Sequence, residues 1–316
     1  MVIDVVGWFP DNQSFVGLTP ARLADSRNNP TIDGLFSNTG PIPQSSFSNV
    51  TVLNRGSVPA AGVSAVALNV TATNPTASSF LTVWPSLTPR PTASNLNVVA
   101  GQTVPNMVIA KVGDNGQVSI YNNTGSVDVI VDVLGWFPAG NTFTPMIPTR
   151  LLDTRLTSSL VAGTVTDVPI AGQPGGPPVG AAAVALNVTI TNPVGPSFLT
   201  VWPAGAKHPL ASNLNFATGQ TVPNLVVGKL GTGGKISLFS PVAADVVIDV
   251  LGWFPATGSF SGVVPARLMD TRPEPLGGNL TPGTSWQWQI DGNTITIVPI
   301  QKLGTASIRM EKERPM

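Results

Sequence analysis

"AVALNVTITNPVGPSFLTVWP", residues 183–203, decides how this chain is read. Its first half alternates: Leu186, Val188 and Ile190 fall on one side, Asn187, Thr189 and Thr191 on the other. A period of two belongs to an extended strand with one face on a core. Asn192-Pro193 breaks the run, and "SFLTVWP" starts a second strand, with Phe198, Thr200 and Trp202 opposite Leu199 and Val201. Nearly the same letters stand at 65–85, "AVALNVTATNPTASSFLTVWP", 118 positions earlier (183 − 65). A strand pair written twice makes the chain a repeat protein.

The repeat extends outward from there. The same offset joins "ASNLNVVAGQTVPNMVIAKVG" at 93–113 to "ASNLNFATGQTVPNLVVGKLG" at 211–231. A third element occurs three times: "VIDVVGWFP" at 2–10, "IVDVLGWFP" at 130–138 and "VIDVLGWFP" at 247–255. Each copy is followed by an arginine motif: "ARLADSR" at 21–27, "TRLLDTR" at 149–155 and "ARLMDTR" at 266–272. Asp4 to Arg22, Asp132 to Arg150 and Asp249 to Arg267 are each 18 positions apart, so strand and motif travel together as a junction. The expected division is a closing or orphan strand at 1–10, repeat 1 at 11–138, repeat 2 at 139–255, and the start of a third repeat with a divergent tail at 256–316. Copy one is longer between junction and body, 28–62 against 156–180, which marks a loop. The tail holds all three glutamates and matches neither body. The abrupt start at Met1, without a leader, suggests a segment of a longer array.

Composition agrees. Glycine (32) and proline (31) punctuate the 316 residues densely, and charged residues make up only 10%. Val, Thr, Ile and Phe fill the apolar runs, which favours strands over helices. The expected fold is all-β: tandem antiparallel sandwiches, jelly-roll-like, with seven or eight short strands per body. The turns "GDNG" and "GTGG" read as hairpins joining the strands that flank them.

With zero net charge there is no basic face for nucleic acid, and no apolar run is long enough for a membrane span. Having no cysteine and a single histidine, the chain lacks the usual zinc ligands. The turn "GDNGQ" lacks a downstream glutamate for calcium, and no cofactor is expected. No G-x-S-x-G elbow is present, and Arg90 occupies the position of His208 in the other copy, so a basic loop residue accounts for that histidine.

The motifs "RLLDTR", "ALNVTITNP", "FLTVWP", "SNLNF…GQTVPN" and "DVLGWF" resemble a tandem β-rich module of large secreted proteins, mostly from actinobacteria. The resemblance covers roughly 1–272. It implies an extracellular or cell-surface location and no particular activity.

Three groups of residues are candidates. The junction charges are Arg22, Asp25 and Arg27; Arg150, Asp153 and Arg155; and Arg267, Asp270 and Arg272, with Asp4, Asp132 and Asp249. Arginine forks bind carboxylates bidentately, so a structural staple is one reading, with Arg150 or Arg155 on Asp132 or Asp153 and Asp153 in an Asx-type turn. The other is a glycosidase or esterase using Asp132, Asp153, Asp249 and Asp270. Trp84 and Trp202 are either core residues or stacking platforms for a sugar. Asn95, Asn97, Gln102 and Asn106 recur as Asn213, Asn215, Gln220 and Asn224, and amides either read hydroxyls or satisfy loop backbone. The expected function is a non-catalytic surface-display or adhesion module that binds polysaccharide or wall glycan weakly, with a secreted polymer-acting hydrolase as the alternative.

Overall fold

The computed structural model describes residues 2–10, 14–140, 142–257, 260–270, 286–290, 293–299 and 306–311. The chain is all-β, with no α-helix among the described residues. Two compact units form, one of residues 6–266 and one of 1–5 with 267–316.

Strand β1 (Val2–Trp8) precedes repeat 1, which holds β2 (Val16–Asp25), β3 (Ser46–Thr51), β4 (Val63–Thr73), β5 (Ser79–Pro85), β6 (Leu96–Val98), β7 (Val104–Lys111), β8 (Gln117–Asn122) and β9 (Asp128–Pro138). Repeat 2 holds β10 (Thr144–Asp153), β11 (Val165–Pro169), β12 (Ala183–Thr191), β13 (Ser197–Pro203), β14 (Leu214–Phe216), β15 (Val222–Lys229), β16 (Lys235–Phe239) and β17 (Asp245–Phe254). Beyond them lie β18 (Ser261–Asp270), β19 (Trp286–Ile290), β20 (Asn293–Pro299) and β21 (Ala306–Glu311), the last three forming a sheet of their own.

Each repeat is a sandwich of two four-stranded sheets: β2-β9-β4-β7 over β3-β8-β5-β6, and β10-β17-β12-β15 over β11-β16-β13-β14. The order first-eighth-third-sixth over second-seventh-fourth-fifth is that of a jelly roll. Inward side chains supply the two cores: Leu68, Val70, Leu81 and Ile120 in repeat 1, and Leu186, Val188, Leu199 and Leu238 in repeat 2. Alternation therefore follows the pattern read from "ALNVTIT", with one difference. All nine residues of β12 are buried, polar ones included, because its second face is covered as well.

The "GDNG" and "GTGG" turns are not hairpins. β7 pairs with β4 while β8 pairs with β3 and β5, so the turn carries the chain from one sheet to the other. Gly113 N–H donates to Gln117 O at 3.0 Å and closes the corner without joining the strands it connects. A tight turn reports direction reversal, and in a sandwich the reversal can cross between layers.

The strand at 1–10 is not an orphan: β1 pairs with β18. It stands to β18 as β9 stands to β2 and β17 to β10, so the two end segments form a third junction. The residues after Gly-Trp in all three junctions meet in one cluster. Phe9, Phe137 and Phe254 lie 5.9, 6.1 and 5.8 Å apart, nearly an equilateral triangle. Phe15, Phe143 and Phe260, six residues further on in each case, complete a closed ring of six, with neighbouring centroids 4.6–5.1 Å apart. Phe137, Phe143 and Phe254 are at most 1% exposed. Tilted and edge contacts at these distances suit the aromatic quadrupole.

Glycine at the third position before proline is required for this ring. A Cβ on Gly135 would meet the Phe15 ring and come within 2.7 Å of Val16 O; on Gly252 it would meet Phe143 and Thr144 O in the same way. The ring can close only where the junction strand has no side chain.

Candidate functional site

Strand register fixes the junction charges. Arg22 and Asp132 are cross-strand partners on β2 and β9, as are Arg150 and Asp249 on β10 and β17. Arg150 Nε donates to Asp249 Oδ1 at 2.9 Å and Nη2 to Oδ2 at 3.2 Å, while Nη1 lies 3.5 Å from Asp153 Oδ2. Arg22 repeats the fork on Asp132 at 2.9 and 3.4 Å and reaches Asp25 at 3.4 Å. Arg267 binds Asp4 at 2.9 and 3.3 Å. Asp132 thus goes to Arg22, not to Arg150 as sequence proximity suggested. The 18-residue spacing measures the crossing from one repeat to the next, while the fork ties each repeat's first strand to its own last.

The second arginine turns back on its own motif. Arg155 Nε and Nη2 bind Asp153 at 2.7 and 2.5 Å, and Asp153 also accepts the Arg155 backbone N–H, forming the expected Asx turn and capping a short 3-10 turn. Arg27 does the same to Asp25 at 2.9 and 2.8 Å. Arg272 and the side chain of Asp270 lie outside the described residues.

These contacts set the ionisation. The Arg155 fork holds Asp153 below its ordinary range against the cost of burial. Burial pushes Asp25 upward, but the Arg27 hydrogen bonds and the two arginine charges outweigh it and the net direction is down. For Asp249, with a side chain only 1% exposed, burial wins and its carboxyl is raised despite Arg150. A general acid must hold a proton near working pH and reach its substrate. Asp25 and Asp153 lack the proton, and Asp249 is sealed from solvent.

Trp84 and Trp202 lie on the outer faces of their sheets yet are 4% and 3% exposed. The loop that follows each strand folds back over it: Trp84 Nε1 donates to Thr88 O at 3.0 Å and Trp202 Nε1 to Ala206 O at 3.1 Å. They are covered indoles, not open stacking platforms. In repeat 2 the basic loop residue adds to the cover, His208 stacking 4.7 Å from Trp202; in repeat 1 Arg90 lies instead 3.8 Å over the ring of Tyr121.

Several amides serve the backbone. Asn95 Oδ1 accepts the Val83 N–H at 2.7 Å, Asn213 Oδ1 accepts that of Val201 at 2.7 Å, and Gln102 and Gln220 accept Val99 and Ala217 N–H at 3.2 and 2.9 Å. Asn106 bridges the two repeats: its Nδ2 donates to Asn95 O and Asn187 Oδ1, and its Oδ1 accepts the Leu225 N–H. Asn97 and Asn215 differ, standing across from Phe80 and Phe198 on the outer faces.

On the outer sheets Phe47 and Asn49 in repeat 1 and Val165, Asp167 and Asn215 in repeat 2 are exposed, while Phe80, Asn97 and Phe198 are half-buried. Phe47, 58% exposed, lies 5.9 Å from Trp84. It carries no repeat signal, because the matching position in β11 is Val165. Asp245, which gathers Thr154, Ser159 and Asn192, was also unread. Its recurrence as Asp128, bound by Ser26 and Asn74, was the available clue.

No known protein family matches this chain, and no curated protein is similar to it. The described residues contain no cluster of His, Cys, Asp or Glu able to hold a metal ion, and no helix long and apolar enough to cross a membrane.

Proposed function

We propose that this protein is a non-catalytic surface module of an extracellular protein, a rigid repeat array for display and adhesion. The observation that carries the reading is the pairing of the junction charges with one another: Arg22 with Asp132, Arg150 with Asp249, and Arg27 and Arg155 with the aspartates of their own motifs. A chain this poor in charge spends its arginine forks on holding strand ends together. The location rests on the resemblance to secreted repeat modules and on the charge-poor, Asn- and Thr-rich sequence.

Weak polysaccharide binding belongs to the same reading. Its support is the β3 edge of the outer sheet in repeat 1, where the exposed Phe47 ring stands beside Asn49, an apolar face next to an amide suited to sugar hydroxyls. Retention on insoluble cellulose, chitin and purified wall glycan tests it. Retention that falls with Phe47→Ala, in a chain of unchanged thermal midpoint, supports the proposal; no retention on any of the three removes glycan binding. Turnover of a glycoside or ester panel that is abolished by Asp132→Asn would establish a hydrolase instead.

A further inference from the structure

Three junctions close the phenylalanine ring, but only two of them frame a complete sandwich among the described residues; β18 and β1 make a two-stranded sheet. The two complete repeats also differ in what covers them. On repeat 2, Asn187 is 1% exposed because repeat 1 sits on it: Asn187 Nδ2 donates to Ser94 O at 2.6 Å, and Asn106 Nδ2 donates to Asn187 Oδ1 at 3.2 Å. The Leu225 N–H on the same face is taken by Asn106 at 3.3 Å.

Repeat 1 carries the matching face, with Asn69 in place of Asn187, Asp132 in place of Asp249 and Met107 in place of Leu225. There Met107 is 37% exposed, and the Asp132 side chain is 20% exposed against 1% for Asp249. Asn187 and Asp249 are sealed on repeat 2, whereas their counterparts Asn69 and Asp132 are half-buried, and Met107 is exposed where Leu225 is half-buried. Residues that form a dry, hydrogen-bonded interface on repeat 2 are suited to the same partner on repeat 1.

We infer that the Asn69–Met107–Asp132 face of repeat 1 is an acceptor for a further body of this repeat. The incoming body docks through its Ser-Asn-Leu-Asn and Val-Pro-Asn segments, as repeat 1 docks on repeat 2. Such a partner needs little charge, because the contacts it makes are amide to amide and amide to backbone. A second intact copy is a poor source: its Ser94 and Asn106 are already spent on its own Asn187, and Asn213 of its second body lies beside Val6, Val263 and Pro265.

The probe is a polypeptide with the sequence of residues 156–246, added to the full chain. The expected result is a one-to-one complex in sedimentation velocity and slower peroxide oxidation of Met107, followed by mass spectrometry. Asn69→Ala in the chain, or Asn224→Ala in the probe, weakens the complex about tenfold or more by leaving buried polar groups unpaired. The thermal midpoint of the chain alone stays nearly unchanged in Asn69→Ala. A second arm removes any dependence on the free probe's solubility: the same body replaces residues 273–316 of the chain, and Met107 becomes protected in cis. Met107 oxidised at the original rate in both arms overturns the inference, and so does binding indifferent to Asn69→Ala. Self-association of the chain through this face assigns it to a second copy and equally overturns it.

Discussion

Arg150 is bound to Asp249, 99 positions downstream, and not to Asp132, 18 positions upstream. The fork therefore closes a repeat on itself. Its twin, Arg22 on Asp132, has the same geometry in a wetter place: the aspartate side chain is 20% exposed there and 1% exposed beneath Arg150. Removing one partner of a buried pair leaves the other charge unpaired. Arg150→Met is expected to cost about 3–5 kcal/mol, and Arg22→Met about 1–2 kcal/mol, where water relieves the loss. Urea unfolding of the two variants checks the order; equal losses would remove burial as its cause.

The phenylalanine ring makes a sharper test. Truncating a buried aromatic side chain leaves a cavity that packed neighbours fill only in part. Phe137→Ala, in the middle of the ring, is expected to cost about 3–5 kcal/mol. Gly135→Ala adds a single methyl group outside either sandwich core, yet it places a Cβ against Phe15 and 2.7 Å from Val16 O. Its expected loss of about 1–3 kcal/mol or more would be read from the thermal midpoint. A neutral Gly135→Ala would mean the junctions do not pack this closely.

Asp33 and Arg55 predict a pH dependence. Arg55, only 6% exposed, is forked onto Asp33 with both contacts at 2.6 Å, and this holds the Asp33 carboxyl down at about 2 from an ordinary 3.8. A carboxyl depressed in the folded state stabilises the fold above its unfolded value and loses that contribution as pH falls toward the folded one. Asp33→Asn should be less stable than the parent at neutral pH, and the gap should narrow between about pH 4 and about pH 2. Urea midpoints across that window check it. A gap that stays constant would show that the ion pair is not what the substitution removes.

Much of this architecture was legible in the sequence, and the omissions have physical causes. Alternation in "ALNVTIT" and the 118-residue offset were enough for a tandem β-sandwich, because period and repeat are local properties. Partner choice was not local. Nothing near Asp132 says that its arginine lies 110 positions back, and β1 reads as an orphan until β18 stands beside it. Trp84 misled for a related reason: strand alternation places it outward, and only the returning loop that accepts its Nε1–H hides it. Asn187 shares that history, outward by pattern and buried by a neighbour of the same repeat type.

Asn106 should report whether the two repeats unfold together. It is 4% exposed and binds Asn95 within repeat 1 and both Asn187 and Leu225 of repeat 2. Asn106→Ala leaves a buried carbonyl, an amide side chain and a backbone N–H short of partners, an expected loss of about 1–3 kcal/mol. Because two of the three contacts cross between repeats, the loss falls on their coupling. Neighbouring repeats act as one cooperative block only while the interface between them outweighs their difference in intrinsic stability. Differential scanning calorimetry should therefore show the parent melting in a narrower transition than Asn106→Ala, whose repeats separate into broader or resolved steps. Asn97→Ala, on the outer sheet with its Oδ1 bound locally to Ser94, should leave the shape of the transition unchanged. If both substitutions shift the midpoint equally without broadening it, the amide bridge does not couple the repeats.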